Sequence, residues 1–348
     1  MFGPIALFGS GETSPGAHRI HRRVMEDLDT PIRVAIVETP AGFEPNAHAV
    51  AAKIGDYLTH RLQNFQPAIT QIPARKRGTD LSPDDPALAA PIFEANYLFI
   101  GPGSPSYAAR QLRDSYTWHA MRARHRLGAA LCFSSASTLA VSAQTIPVYE
   151  IYKVGEDLHW KPGLNFFAAF GLNLVIVPHW NNNDGGADLD TSHCYMGTAR
   201  YDQLVGMLPE PVTILGIEEN TGLVIHPYTD VCEVVGAGCV IVIRNGEEHA
   251  FAAGQTFAPS MLGDWRLPQG HEEIPTEIWE EAVRRAEAQA QPAVVAVPQG
   301  VLDLVQQRED ARKQRDWAGA DALRAAIAAL GWQVRDTPDG PEVAVSDN

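Results

Sequence analysis

Paired cysteines are missing from this chain. Cys132, Cys194, Cys232 and Cys239 stand far apart with no C-x-x-C between them, which excludes a disulfide frame and a thiolate zinc site and leaves reduced thiols. Long apolar runs are missing as well; the longest are strand-sized, too short for a membrane-crossing helix. The N-terminus opens on Ile5-Ala6-Leu7-Phe8-Gly9 without a basic region or cleavage site, so no secretory signal is expected and the cytoplasm is the expected compartment. Positive charge is scarce: 27 Lys and Arg face 42 Asp and Glu, a formal net charge of −15, which disfavours tight binding to phosphate backbones. Gly9-Ser10-Gly11-Glu12 lacks the third glycine of a dinucleotide fingerprint.

What remains has the composition of a folded globular protein. Hydrophobic residues make up 45% and charged residues 20% of 348 positions, enough for one large α/β domain and a small appendage. Short apolar runs at Ile5–Phe8, Arg33–Val37, Ile69–Ile72, Tyr97–Ile100, the stretch into Leu131 and Leu172–Val177 alternate with helical patterns such as Asn46–Asn64. That alternation predicts a mostly parallel sheet flanked by helices. From Thr213 to Arg244 the runs shorten and turn residues separate them, and Asn245-Gly246 marks a hairpin. This section is expected to be antiparallel and to close one edge of the sheet.

The chemistry is expected at the carboxyl ends of the strands. Leu131-Cys132-Phe133-Ser134-Ser135-Ala136-Ser137-Thr138 joins a buried strand to a short helix of small residues. A serine at that corner projects from the sheet edge toward first-turn amide groups that favour developing negative charge. The bland alternative is a serine N-cap after a core strand. Val177-Pro178-His179-Trp180 puts a histidine at another strand end, where it could act as the general base that a serine hydroxyl needs. Ser134 is a rival nucleophile if the corner slips by one residue, and Cys132 is expected in the buried strand.

Four segments in order carry a resemblance: Gly101-Pro102-Gly103-Ser104, Ser135-Ala136-Ser137, Val177-Pro178-His179-Trp180 and Gly216-Ile217-Glu218-Glu219-Asn220-Thr221-Gly222-Leu223. From about Pro4 to Phe257 the chain resembles the dipeptidase E and cyanophycinase family of serine peptidases, whose fold is similar to class I glutamine amidotransferases with flavodoxin-like layers. The resemblance implies a peptide or isopeptide bond cleaved through an acyl-enzyme without metal or other cofactor. It implies Ser135 as nucleophile, His179 as base, and the Gly103 and Ala136 N–H groups as oxyanion hole. The third member is expected between nucleophile and histidine; Glu150 fits the spacing best, with Glu156 and Asp157 as alternatives. Ser104, Trp180, Asn181 and Arg200 are the expected substrate contacts, with Lys153 a further candidate cation. Asp184, Asp188 and Asp190 lack calcium-loop spacing. Two departures stand out: Phe133 replaces the family's glycine, and Pro102-Gly103-Ser104-Pro105 replaces Gly-Gly-Asp-Gln.

The last fifty residues form a separate unit. The sequence divides into a peptidase-like domain 1–291, an alanine-, valine- and proline-rich linker 292–300, and a tail 301–348 read as two helices, Val301–Arg315 and Trp317–Leu330. Gln307-Arg308-Glu309-Asp310-Ala311-Arg312, Asp316-Trp317 and Ala320-Asp321-Ala322-Leu323-Arg324 are similar to the C-terminal segment of cysteinyl-tRNA synthetases, whose H-I-G-H and K-M-S-K-S signatures are absent. Acids outnumber bases there, so the tail is expected to pack on the body or on a second copy in a homodimer rather than on tRNA. The expected partner of the whole is a small peptide substrate. A catalytically silent binding protein on the same fold, a tRNA-associated factor acting through the tail, and an esterase are the rival readings.

Overall fold

The computed structural model describes residues 2–209, 211–290, 297–337 and 340–346. The chain divides into two compact units, Met1–Ala288 and Gln289–Asn348. Residues 292–296 of the expected linker lie outside the described residues.

In the first unit the early apolar runs become β1 (Ile5–Phe8), β2 (Arg33–Val37), β3 (Ala68–Ile72), β4 (Tyr97–Ile100) and β5 (Ala130–Ser134). They lie parallel in the order β1-β5-β4-β2-β3. Their side chains divide strictly between two faces, as the two-residue period of a strand requires. Ile5, Leu7, Leu98, Ile100, Leu131 and Phe133 enter one core; Ala6, Phe8, Tyr97, Phe99, Ala130 and Cys132 enter the other. Helices cover both faces, so β1, β4 and β5 are buried along their whole length, while β3 at the edge is largely exposed.

The later strands follow a different plan. A two-residue ribbon, β6 (Gln144–Thr145) with β7 (Lys161–Pro162), is followed by β8 (Leu174–Val177) and β9 (Thr213–Ile217). Next come β10 (Thr221–His226), β11 (Val231–Gly236), β12 (Cys239–Arg244), β13 (Glu247–Ala252) and β14 (Thr256–Phe257). β10, β11 and β14 extend one edge of the large sheet antiparallel, beyond β1, as expected, but β9 and β12 of the same section join a second sheet, where β9 runs parallel to β8. The run at Leu172–Val177 does not join the large sheet either. It forms the outer strand of the second, four-stranded sheet in the order β13-β12-β9-β8, pairing with β9 in parallel register.

The two sheets meet at Gly9. Its N–H donates to the Thr221 carbonyl at 2.8 Å, and its carbonyl accepts from the His179 N–H at 3.1 Å. A Cβ at Gly9 would run into the Glu218 carbonyl. The N-terminal Gly-x-Gly therefore admits the chain's own backbone, and the ends of β1, β8 and β9 converge there.

In the second unit the expected helices occupy Gln299–Lys313 and Trp317–Ala329. Asp316 caps the latter by accepting from the Gly319 N–H at 2.9 Å. A hairpin of β15 (Trp332–Thr337) and β16 (Gly340–Val345) follows, so the tail is more than two helices. Val301, Val305, Ile327, Trp332 and Val334 form its small core, and the buried Arg308 holds both Asp336 oxygens at 2.9 Å.

Candidate active site

Strand β5 ends at Ser134, and the next residue turns sharply. Ser135 has φ 53° and ψ −108°, a sparsely populated conformation for a residue with a Cβ that persists only where neighbours hold it. Ser137 Oγ accepts from the Ser134 N–H at 2.8 Å and donates to the Ile100 carbonyl at 2.6 Å. Thr138 Oγ1 donates to the Phe8 and Phe133 carbonyls. The helix Ala136–Ala140 starts immediately. The small residues after the serine thus brace the turn that presents it.

The Ser135 Oγ lies 2.9 Å from His179 Nε2. His179 follows β8 directly and is itself left-handed, with φ 52°. Its Nδ1 lies 2.7 Å from Glu219 Oε1, which points the Nδ1 proton at the carboxylate and turns Nε2 toward the serine. Hydrogen bonding from His179, opposed by partial burial and aided by Asn182, holds the Glu219 carboxyl below the usual carboxylate range. A serine, an imidazole and an ionised carboxylate are therefore linked in sequence.

Glu150, the sequence's best candidate for the third member, is corrected by the structure. It lies on a single π-helical turn, Tyr149–Val154, and its Oε1 accepts from Ser106 Oγ at 2.5 Å and Lys161 Nζ at 2.8 Å. Burial pushes this carboxyl up, but those bonds outweigh it and hold it low. Glu156 faces His159 at 3.7 Å and Asp157 is exposed, so neither meets His179. Glu219 was overlooked although it stands inside the Gly216–Leu223 segment quoted for the resemblance. The signal was that segment's place just after β9, the neighbour of the histidine's strand. Ser134 is fully buried and its Oγ donates to Glu12 Oε2 at 2.7 Å. Cys132 is buried too, which pushes its thiol up to about 12.

Gly103 and Ala136 line the same cavity as Ser135 and His179. Ala136 is the first residue of its helix, so its N–H has no intrahelical acceptor, and no described backbone carbonyl accepts from Gly103. Gly103 has φ +147°, and a Cβ there would strike the Pro40 carbonyl, so this turn requires glycine.

The cavity has a volume of about 380 Å³, and Leu139, Val148, Tyr149, Tyr152 and Tyr195 supply much of its wall. Lys153 and Asp184 are the charged residues in that wall. Three of the expected substrate contacts hold structure instead. Ser104 Oγ caps a helix by accepting from the Tyr107 N–H at 3.2 Å. Trp180 packs its ring on Gly216 and against His193 and Tyr201. Arg200 donates to the Met196 and Tyr195 carbonyls. Asn181 Oδ1 accepts from the Glu219 N–H at 2.8 Å, so the fourth contacts the site's own carboxylate residue.

The far wall comes from a segment without a glycine signal. His193, Cys194 and Tyr195 are successively left-handed, at φ 53°, 58° and 67°, each costing roughly 1–2 kcal/mol for an L-residue. The turn brings the Cys194 N–H to the His179 carbonyl at 3.1 Å. It also sets the Tyr195 ring 5.6 Å from the imidazole, with its hydroxyl donating to Asp184 Oδ2 at 2.9 Å. Asp190 accepts from the Ser192 and Thr198 N–H groups and so braces the backbone of this loop.

Fold and tail each resemble a different kind of protein. The chain shares its α/β fold with a peptidase from an acI-B1 actinobacterium, at TM-score 0.59 and 21% identity over 74% of this chain and 97% of that one. The shared architecture is a large, mostly parallel sheet flanked by helices. Residues 295–343 match the model of the cysteinyl-tRNA ligase anticodon binding domain. Cysteine–tRNA ligase 1 of Burkholderia lata is 49% identical over 49 residues, 14% of this chain and 10% of the ligase. The Methanosarcina mazei ligase is 47% identical over 51 residues, 15% of this chain and 11% of the ligase. The chain spans about a tenth of the length of these curated ligases. No helix among the described residues is long and apolar enough to cross a membrane.

Proposed function

We propose that the large unit is a serine hydrolase that cleaves a peptide or isopeptide bond through an acyl-enzyme. The observation that carries this reading is the linked chain Ser135 Oγ–His179 Nε2 at 2.9 Å and His179 Nδ1–Glu219 at 2.7 Å, opening on a cavity. Ser135 Oγ attacks the carbonyl carbon while its proton passes to His179 Nε2. The carbonyl oxygen becomes an anion that the Gly103 and Ala136 N–H groups stabilise. Collapse breaks the C–N bond, and His179 returns the proton to the departing amine. Water then attacks the acyl-serine, giving its proton to His179; collapse breaks the C–Oγ ester bond, His179 returns the proton to Ser135 Oγ, and the acid product leaves. Glu219 stays ionised throughout, holding the ring's orientation and balancing the imidazolium charge. Hydrolysis of a dipeptide and isopeptide library, compared with Ser135→Ala, tests the reading; turnover present in the wild type and lost in the variant is the expected result.

A second reading concerns the tail and rests on its match to an anticodon-binding family. It makes the small unit an RNA-contacting module beside the hydrolase, with the exposed Trp317 ring available for base stacking. Salt-dependent binding of tRNA by the full chain, weakened in Trp317→Ala, is what this reading expects.

A further inference from the structure

The segment that follows β8 carries the base and also grips the base's partner from both ends. His179 contacts the Glu219 carboxylate, Asn181 Oδ1 accepts from the Glu219 N–H at 2.8 Å, and Asn182 Nδ2 donates to Glu219 Oε1 at 2.9 Å. Oε1 therefore receives both Nδ1–H of the imidazole and the amide of Asn182. Asn182 is 3% exposed, and its own Oδ1 accepts from the Asp184 N–H at 3.2 Å. The amide is held by the loop that carries Asp184 and cannot rotate freely.

We propose that Asn182 is a positioning residue that fixes the direction and charge of Glu219, and so sets the pH at which His179 serves Ser135. The inference rests on the hydrolase reading above. A carboxylate oxygen has two lone-pair directions. With Asn182 occupying one, the other points at Nδ1; without it, the carboxylate can turn toward solvent. Other ionisable groups near this pair are Tyr195 and Cys194, both held neutral by burial beside the Glu219 charge, and Asp184, whose carboxylate accepts from Tyr195. Glu218 points away and accepts from the Cys239 N–H at 2.7 Å. Besides His179, the side chain that donates to the Glu219 carboxylate among the described residues is that of Asn182.

The test is the rate at which a fluorophosphonate modifies Ser135, measured from pH 5 to 9 in the full chain and needing no knowledge of the substrate. Asn182→Leu removes the donor and is expected to slow modification by about tenfold or more, the weight of a charge-assisted hydrogen bond. Asn182→Asp keeps the acceptor for the Asp184 N–H and places a second negative charge beside the pair. Its half-maximal pH is expected to move up by about one unit, since added negative charge favours the imidazolium. Should Asn182→Leu fail to fold, the Asp variant decides alone. Profiles and rates that superimpose on the wild type overturn the Asn182 proposal while leaving the hydrolase intact. Absence of Ser135 modification in the wild type overturns both.

Discussion

Glu219 Oε1 lies 2.7 Å from His179 Nδ1 although the two residues are 40 positions apart in sequence. Parallel pairing of β8 with β9 makes the contact, because the histidine leaves the end of one strand and the glutamate leaves the end of its neighbour. Replacing Glu219 by Gln keeps the shape and removes the charge. Turnover is expected to fall by about 10² to 10⁴. Replacing Glu150 by Gln, which disturbs only Ser106 and Lys161, is expected to leave turnover within a few-fold. Parallel kcat measurements on the two variants check this, and the opposite ranking would restore Glu150 as the orienting carboxylate.

Phe133 is the residue where the elbow departs from its glycine pattern. Its ring is fully buried, 6.3 Å from Trp118 and 5.8 Å from Phe166. Phe133→Ala is expected to lower stability by about 3–5 kcal/mol through cavity formation. Urea unfolding of the large-unit transition reads the change. A loss below about 1 kcal/mol would mean that the side chain is not the core element described here.

The corner glycine gives a sharper local test. Gly103→Ala places a methyl group against the Pro40 carbonyl at a φ that disfavours any side chain. The expected result is a large loss in kcat with Ser135 still in place, because one of the two donors aimed at the oxyanion shifts. Removal of such a donor typically costs about 10² to 10³ in kcat. A crystal structure of the variant with an unmoved loop and full activity would contradict the assignment.

Two buried histidines predict an acid limit to stability. His21 donates to the Glu12 carbonyl at 2.8 Å and accepts from the Tyr97 hydroxyl at 2.6 Å. Burial pushes both His21 and His125 from the ordinary 6.5 down to about 4. Between those values the unfolded chain takes up a proton that the folded chain refuses, so stability rises with pH across this window. It is complete above about 6.5 and is lost as pH falls toward 4, on the order of 3 kcal/mol per histidine. Melting temperatures across that range should fall steeply. His125→Phe, placed among Phe2, Phe166 and Phe170, should flatten the slope.

The parallel layer was legible because β1, β2, β4 and β5 are short, wholly apolar and separated by helical patterns, a signature that buried strands cannot avoid. The serine corner and the histidine at a strand end were legible for the same reason: both follow apolar runs directly. The glutamate was missed because spacing along the chain was used where strand pairing decides proximity. Assigning Leu172–Val177 to the large sheet hid the pairing of β8 with β9. Trp180, Ser104 and Arg200 were expected to face substrate because polar and aromatic residues near a cleft can do so. Each instead satisfies a backbone group or covers a glycine, which only coordinates reveal. The left-handed turn at His193–Tyr195 had no glycine to announce it.

Every step proposed for this site begins with activation of the Ser135 hydroxyl by His179. Treatment of the full-length protein with a fluorophosphonate, followed by peptide mapping, measures that activation directly. The expected product is a single adduct on Ser135, absent from Ser135→Ala and strongly slowed in His179→Ala. A folded wild-type protein that stays unmodified, or one that carries its adduct on Ser134, would contradict it.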